Sequence, residues 1–223
     1  MMKTSPLNST ESGRTPNPSI LALLLLVCAF AFTGCLARPA LKTQTFSLGV
    51  PGIAATNLVA GRPVLALKKL AVAPSFAGRC LVYRTGDFTF AGDPYAAFLA
   101  PPEEELRAPL CAALGSQGDF SAVVETGSAL KPDVLVEINV SQFFGDFSRP
   151  KSAQAVLTLR FTFCTATNGI AAQLLFQKEY SRRLSLATPA AAALIKGWNQ
   201  ALTEITIEAL ADYHQAQSIS RAH

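Results

Sequence analysis

Five cysteines and two histidines are the residues of this chain best suited to chemistry. A thiolate and an imidazole together could bind zinc or act as a nucleophile and its base. The cysteines form no C-x-x-C pair, however, and both histidines, His214 and His223, lie in the C-terminal tail. The sequence therefore predicts no metal site, no cofactor-binding site and no Cys–His catalytic pair.

Other catalytic patterns are also absent from the sequence. It contains no nucleotide-binding glycine-rich loop, no G-x-S-x-G elbow and no H-E-x-x-H pattern. Asp133 and Glu137 would lie about 13 Å apart on an extended strand, at roughly 3.3 Å per residue, which is too far for a pair of glycosidase carboxylates. We therefore predict that the protein is not an enzyme.

Cys35 directly follows an apolar segment. Residues 20–32 read ILALLLLVCAFAF, which is shorter than the roughly 20 residues of a bilayer span and is typical of a secretory signal. Phe32-Thr33-Gly34-Cys35 resembles the lipobox of bacterial lipoproteins, in which small residues let the peptidase reach the modified thiol. We predict a signal peptide over 1–34 and a diacylglyceryl and N-acyl lipid on Cys35. Ordinary cleavage after Ala29-Phe30-Ala31 is the alternative.

Leu36 stands where lipoproteins retained in the inner membrane commonly carry Asp. We therefore expect a periplasm-facing lipoprotein in the outer membrane of a Gram-negative bacterium. Cys80, Cys111 and Cys164 remain in the mature chain, where an oxidising compartment allows at most one disulfide and one free thiol. No particular pair is favoured, and the apolar surroundings of Cys111 are typical of a small core residue.

Charged residues are scarce in this chain. They make up 15% of it, against roughly 25% in typical soluble domains, whereas 50% of the residues are apolar. The net charge of +4 is too small and too dispersed to indicate nucleic-acid binding. Much of the apolar content is alanine, and the low charge persists when residues 1–34 are removed. We expect the domain to hide part of its surface against sister subunits, as a homo-oligomer, or against a partner.

The chain divides into the signal peptide, a lipidated tether over 35–44, one domain over 45–214 and a frayed tail over 215–223. Glycine and proline separate short apolar segments in the first half of the domain, which is typical of strands joined by loops. The predicted strands there are 45–48, 64–73, and a hairpin of 80–84 with 88–90, with a loop over 49–62. A helix is predicted over 95–115, where Pro109 should kink it or begin a second helix.

Alternation with a period of two gives the clearest strands. In 133–141 and 154–164 every second residue is apolar, which places those side chains on one face of a sheet. Asn168-Gly169 predicts a tight turn into a partner strand over 171–184. These segments predict an antiparallel sheet with one buried face.

Thr188-Pro189 predicts the start of a second helix, because threonine can cap it and proline suits its first position. The helix runs to about Tyr213, and its core-facing stripe consists of Leu194, Trp198, Leu202, Ile205 and Ala209. We expect an α/β (α+β) fold: a single compact domain with a mixed or antiparallel sheet and two main helices packed against it.

Basic residues cluster in the hairpin of the last two strands. They could face anionic headgroups or form an ordinary solvated face of the sheet. The cluster consists of Arg149, Lys151, Arg160, Lys178, Arg182 and Arg183.

Short motifs follow one another in a fixed order behind the predicted lipidation site. They are Thr45-Phe46-Ser47-Leu48, Leu81-Val82-Tyr83-Arg84, Tyr95-Ala96-Ala97-Phe98-Leu99-Ala100-Pro101-Pro102, Phe120-Ser121-Ala122-Val123-Val124, Phe144-Gly145-Asp146-Phe147 and Trp198-Asn199-Gln200-Ala201-Leu202. Together they resemble the ABC-type transport auxiliary lipoproteins, the group that includes paraquat-inducible protein C.

The resemblance implies a non-catalytic lipoprotein that works with an MCE-type (mammalian cell entry) protein, an ABC permease and its ATPase. Such a system moves lipids or other hydrophobic molecules between membranes. The lipoprotein would dock the periplasmic MCE assembly to the outer membrane, as a ring-like homo-oligomer, and would fold as a compact α/β domain.

Two other functions compete with this one. The first is a stand-alone periplasmic lipid-binding lipoprotein that carries a lipid in its own cavity. The second, a periplasmic hydrolase, is disfavoured because the sequence offers no nucleophile and base that could be brought together.

Overall fold

The computed structural model describes residues 43–49, 61–149, 152–166 and 172–221. Within these ranges the chain forms eight strands, two α-helices and one short 3-10 helix. The strands are β1 Gln44–Phe46, β2 Val64–Val72, β3 Cys80–Arg84, β4 Phe90–Phe98, β5 Ala122–Glu125, β6 Val134–Asp146, β7 Gln154–Thr165 and β8 Leu174–Ser185; the helices are α1 Pro102–Ser116 and α2 Ala191–Arg221, and the 3-10 helix is Pro74–Phe76.

The described strands join in one mixed sheet built around β6. β7 pairs antiparallel with β6 from end to end, and β8 pairs antiparallel with β7. Along its other edge β6 has two partners. Its first part pairs parallel with β2, and its last two residues pair parallel with β3. β5 extends the sheet beyond β2, whereas β4 and then β1 extend it beyond β3.

β6 and β7 carry the predicted buried face. The alternating side chains are buried on both strands: Val134, Val136, Ile138 and Val140 on β6, and Ala155, Leu157, Leu159, Phe161 and Phe163 on β7. A bulge between Val140 and Gln142 then changes the alternation on β6. As a result Phe143 lies on the same face, opposite Leu157, and Phe144 lies on the other face.

Helix α2 covers this apolar face. The predicted stripe from Leu194 to Ala209 is buried, with 1% or less of each side chain exposed. The Trp198 ring packs at 4.2 Å from the Phe143 ring and at 5.8 Å from the Phe98 ring, measured between centroids. Its Nε1 donates a hydrogen bond of 3.1 Å to the carbonyl of Val156. The indole therefore has both the apolar surroundings and the polar partner that a buried tryptophan needs.

Gly197 allows α2 to lie unusually close to β7. A Cβ atom at this position would lie 2.7 Å from the Cβ of Ala155 and 3.0 Å from a methyl group of Leu186. Only glycine fits without a shift of the helix or the strand.

Helix α1 packs beside α2, against β2 and β5, so one sheet carries both helices. This arrangement confirms the predicted α+β fold. The helix continues through Pro109 as one element, and no second helix starts there. Proline's fixed φ is compatible with a helix, although the ring removes one hydrogen bond of the ladder.

The predicted helix over 95–115 begins too early. Residues 95–98 instead end β4, where they pair with β1 and with Cys80 of β3. Pro101 and Pro102 explain the boundary, because a residue that precedes proline avoids the helical region and proline suits the first helical turn. The predicted hairpin strand over 88–90 is wrong except at Phe90, because residues 88 and 89 lie in the turn and β4 runs from Phe90 to Phe98.

Helix α2 begins later than predicted. Its first helical hydrogen bond runs from the Leu194 N–H to the Ala190 carbonyl at 3.0 Å, and the helix starts at Ala191. The carbonyl of Thr188 instead accepts a turn hydrogen bond from the Ala190 N–H at 2.9 Å. Thr188-Pro189 therefore lies in the turn before the helix and does not cap it.

Helix α2 also ends later than predicted, because it continues to Arg221 where a frayed tail over 215–223 is expected. His214 Nε2 lies 3.0 Å from Asp119 Oδ2, which ties this part of the helix to the segment after α1. No helix among the described residues combines the length and apolarity of a membrane span.

The remaining predicted strands are confirmed. The segments 45–48, 64–73, 80–84, 133–141, 154–164 and 171–184 correspond to β1, β2, β3, β6, β7 and β8, and β6 extends further, to Asp146. The predicted turn at Asn168-Gly169 lies outside the described residues.

The close approach of α2 to β7 at Gly197 predicts that adding one methyl group there lowers the stability of the protein. Gly197→Ala should destabilise the protein by about 1–3 kcal/mol, because the overpacking against Ala155 outweighs the helix propensity that alanine gains. Urea unfolding measures this change. Gly78→Ala is the matched control, since a Cβ atom there meets nothing within 4 Å. A Gly197→Ala protein as stable as the Gly78→Ala protein would contradict the packing argument.

Candidate functional site

The predicted lipidation site, Cys35, and the signal peptide over 1–34 lie outside the described residues. The first described element after them is β1, which pairs parallel with the end of β4 in the register Gln44↔Ala96. Because the two strands are parallel, the chain reaches β1 from the side on which β4 begins. Thr43 Oγ1 donates to the Pro94 carbonyl at 3.4 Å on this path. Thr43 and Gln44 therefore enter the sheet from the side of the β3–β4 hairpin.

A buried carboxylate fastens the chain where it joins the domain. Glu105, on the first turn of α1, is 8% exposed. Its Oε2 accepts hydrogen bonds from Ser47 Oγ at 2.6 Å and from the Leu48 N–H at 3.1 Å. Its Oε1 accepts a hydrogen bond from the Ala100 N–H at 2.9 Å. One side chain thus joins the segment after β1 to the start of α1.

The hairpin side of the sheet also carries a cleft lined by arginines, where β3 and β6 end side by side. The Asp146 carboxylate accepts hydrogen bonds from Arg84 at 2.5 Å and from Arg183 at 3.4 Å. Ser148 donates to it through Oγ at 2.7 Å and through its N–H at 3.2 Å. The cleft has a volume of about 180 Å³, and its other lining residues are Arg149, Ser152 and Gln154.

The electrostatics of this cleft favour an anion. Burial acts to raise the pKa of Asp146, but the hydrogen bonds from Arg84 and Ser148 outweigh it and hold the pKa below its usual range. One ionised carboxylate therefore faces three guanidinium groups, those of Arg84, Arg149 and Arg183. The lining includes neither histidine nor cysteine. The arrangement can attract a negatively charged group, and it offers no base to activate a nucleophile.

The predicted basic cluster is divided between the two faces of the sheet. Arg149 and Arg183 line the cleft. Lys178 and Arg182 instead form ion pairs with acidic residues of α2. Successive side chains of a strand point to opposite faces, which separates residues that are adjacent in sequence. Lys151 lies outside the described residues.

The two carboxylates considered for catalysis have separate structural partners. Asp133 Oδ2 accepts a hydrogen bond from the first amide of β2 at 2.8 Å. Glu137 forms an ion pair with Lys68 at 2.9 Å. Arg160, the remaining member of the basic cluster, likewise pairs with Glu179 at 3.1 Å.

The three cysteines of the domain, Cys80, Cys111 and Cys164, are free thiols. Burial raises the pKa of Cys111 to about 11, which keeps it protonated, as befits a packed side chain. Across the described ranges, no group of three or more His, Cys, Asp and Glu side chains is placed to hold a metal ion.

Two further clefts lie at the surface, one of about 160 Å³ on the helix-free face and one of about 210 Å³ beside His214. Pockets for small organic ligands typically measure about 300–1,000 Å³. The three clefts described here are smaller, and they lend no support to a carrier that encloses a lipid.

The motifs that suggested a family meet in the structure. Tyr83 pairs with Gly145 and stacks on Phe147 at 4.6 Å between ring centroids, beside the ion pair of Arg84 and Asp146. The family model described as "ABC-type transport auxiliary lipoprotein component" matches residues 46–209. The chain belongs to this family. Membership implies an auxiliary role in ABC-type transport, a transporter as partner and a location in the cell envelope.

Solved structures share the fold of this auxiliary lipoprotein. Protein XCC0632 from Xanthomonas campestris is similar with a TM-score of 0.62 at 16% identity, over 83% of this chain and 98% of that one. A second crystal structure, of an uncharacterized protein, gives a TM-score of 0.61 at 18% identity, over 77% and 98% of the two chains. No protein of curated function matches the sequence.

Sequence reasoning did not identify the polar contacts of Asp146 and Glu105 in this auxiliary lipoprotein. The family motifs contain Arg84 and Asp146, but these residues are 62 positions apart and nothing local shows that they pair. Glu105 ends a run of three acids, whose place in the first helical turn suits the helix dipole. Its burial, which singles it out from the other two, is visible only in the fold.

The hydrogen bonds of Asp146 predict a pH-dependent stability. Asp146→Asn should destabilise the domain at pH 7 by about 1–3 kcal/mol, because Arg84 and Arg183 lose their counter-charge. The folded pKa lies below the unfolded value, so this stabilisation is present above about pH 4 and is lost as the pH falls through the folded pKa.

Urea unfolding of both proteins between pH 7 and pH 3 measures this effect. The difference in unfolding free energy should shrink at the acid end. Asp87→Asn, an exposed position in the β3–β4 hairpin, is the control and should change little. A difference independent of pH would show that the ionised form of Asp146 contributes nothing.

Proposed function

We propose that this protein is a non-catalytic lipoprotein component of an MCE/ABC-type intermembrane transport system for lipids or other hydrophobic molecules. Its lipidated Cys35 holds the domain at the periplasmic face of the outer membrane, where the domain docks the periplasmic MCE assembly. The observation that carries the proposal is the family match over 46–209, directly behind a cysteine that ends a signal-like apolar segment.

The lipid anchor explains how such a domain stays at a membrane. Each buried CH₂ group of an acyl chain contributes about 0.8 kcal/mol, and more than one chain gives a durable anchor. The tether over 35–44 has ten residues, and the nine steps from Cys35 to Gln44 span at most about 32 Å at roughly 3.6 Å per residue. The domain is thereby kept next to the membrane while its remaining surface faces partner proteins.

The surface also supports a docking role. Tyr95 and Leu99 are large apolar side chains beside β1, and more than half of each is exposed. The low fraction of charged residues likewise favours a domain that is partly covered by other subunits. We propose that the partners are the MCE-domain protein, with its ABC permease and ATPase, and further copies of this chain in a homo-oligomer.

The predicted anchor is tested by removing its thiol. In cells fed labelled palmitate, Cys35→Ala should abolish the label and release the protein from the membrane or leave its signal uncleaved. Cys28→Ala is the matched control, because Cys28 lies inside the predicted signal peptide and is removed with it. A Cys35→Ala protein that still carries the label would contradict the assignment.

The transport role is tested by purifying the protein with its partners. The lipoprotein, extracted from envelope membranes in mild detergent, should bring down an MCE-domain protein together with an ABC permease and its ATPase. Absence of any MCE protein would count against the docking role. Native mass spectrometry that finds lipid bound to a monomer free of partners would instead favour a stand-alone lipid carrier.

A further inference from the structure

Phe88 is exposed to solvent over 98% of its surface. It lies at the tip of the β3–β4 hairpin, between Arg84 at the end of β3 and Phe90 at the start of β4. Phe90 is itself 48% exposed, and its inner edge packs against Phe76 at 6.2 Å and Phe144 at 5.3 Å between ring centroids. The tip is thus an apolar projection on a packed base.

A single exposed apolar side chain is common on protein surfaces, so its position decides what it means. Thr43 leads into β1 at Gln44, opposite Ala96, from the side on which β4 begins. The eight steps from Ala96 to Phe88 span at most about 26 Å at roughly 3.3 Å per residue, and less where β4 is irregular opposite Cys80 and Val82. The nine steps from Cys35 to Gln44 reach at most about 32 Å at roughly 3.6 Å per residue. The acylated residue can therefore lie level with the hairpin tip.

Positive charge surrounds the base of the same hairpin. Arg149 and Arg183 are exposed and line the cleft in which Asp146 neutralises only part of the charge. Asp87 is the acid of the tip itself, so the positive groups lie behind the aromatic residue and not at its side. Along the hairpin the apolar side chain therefore comes first and the arginines follow at its base. At a bilayer surface the acyl chains and the anionic headgroups follow each other in the same sequence.

We propose that the β3–β4 hairpin is a second membrane contact, in which Phe88 inserts into the lipid interface while Arg149 and Arg183 face anionic headgroups. The inference rests on the proposed anchor at Cys35. Two points of attachment, unlike a lipid anchor alone, fix the orientation of the domain. Its opposite end, where β8 begins at Leu174, then faces away from the membrane toward partner proteins.

The test places a tryptophan at the tip of the intact lipoprotein. Phe88→Trp protein is reconstituted into vesicles of phosphatidylethanolamine and phosphatidylglycerol with brominated acyl chains, which quench tryptophan on contact. Leu174→Trp is the matched control, a 57% exposed apolar position at the opposite end of the sheet. The native Trp198 is 1% exposed and gives the same unquenched background in both proteins.

The expected result is loss of most of the added emission from Phe88→Trp and none from Leu174→Trp, relative to vesicles without bromine. Flotation of the vesicles reports the anchor separately. Protein that floats with an unquenched Phe88→Trp signal overturns the hairpin contact and leaves the anchor standing, whereas protein that neither floats nor is quenched overturns both. A blue shift that grows with protein density without quenching assigns the tip to a contact between copies and also overturns the proposal.

Discussion

The pairing of β6 with β7 is the interaction on which the rest of the fold depends. The rest of the sheet attaches to these two strands directly or through a neighbour. β8 pairs with β7, and β2 and β3 share the free edge of β6. β5 then pairs with β2, and β4 pairs with β3. The bulge after Val140 lets one strand serve both partners. Because of the bulge, Phe143 packs against Trp198 on the face that carries the helices, whereas Phe144 lies on the other face and packs against Phe90 at the base of the hairpin.

Two buried carboxylates, those of Glu105 and Asp146, organise the chain in this domain. Glu105 accepts three hydrogen bonds, which join the segment after β1 to the start of α1. Asp146 accepts four, which hold two arginines and the loop that follows β6. Buried carboxylates of this kind are costly unless they are fully paired, which explains the density of their contacts. Asp146 lies at the hairpin end of the sheet, beside the arginine cleft. Glu105 lies at the other end of β1 and β4, where both strands have ended.

Most of the fold could be predicted from the sequence, and the errors share one cause. Strands 133–141 and 154–164 and the stripe on α2 were visible because alternation and helical spacing are local properties of the chain. Residues 95–98 have a helical composition, yet they form strand because β1 and β3 offer them hydrogen-bond partners. The tail after Tyr213 is helical partly because Asp119, distant in sequence, contacts His214. Tertiary contacts overrode local preference in both cases.

The sequence by itself determined the signal-like segment ending in Cys35 and the strands that share one buried face, because both are local patterns of the chain. The tertiary structure alone decided which polar groups meet, because Arg84 and Asp146, 62 residues apart, are joined only by the parallel register of β3 and β6. It alone also placed Phe88 at the end of the sheet from which Thr43 and Gln44 enter β1. Register between distant strands depends on the whole packed core, and no local pattern in the chain encodes it.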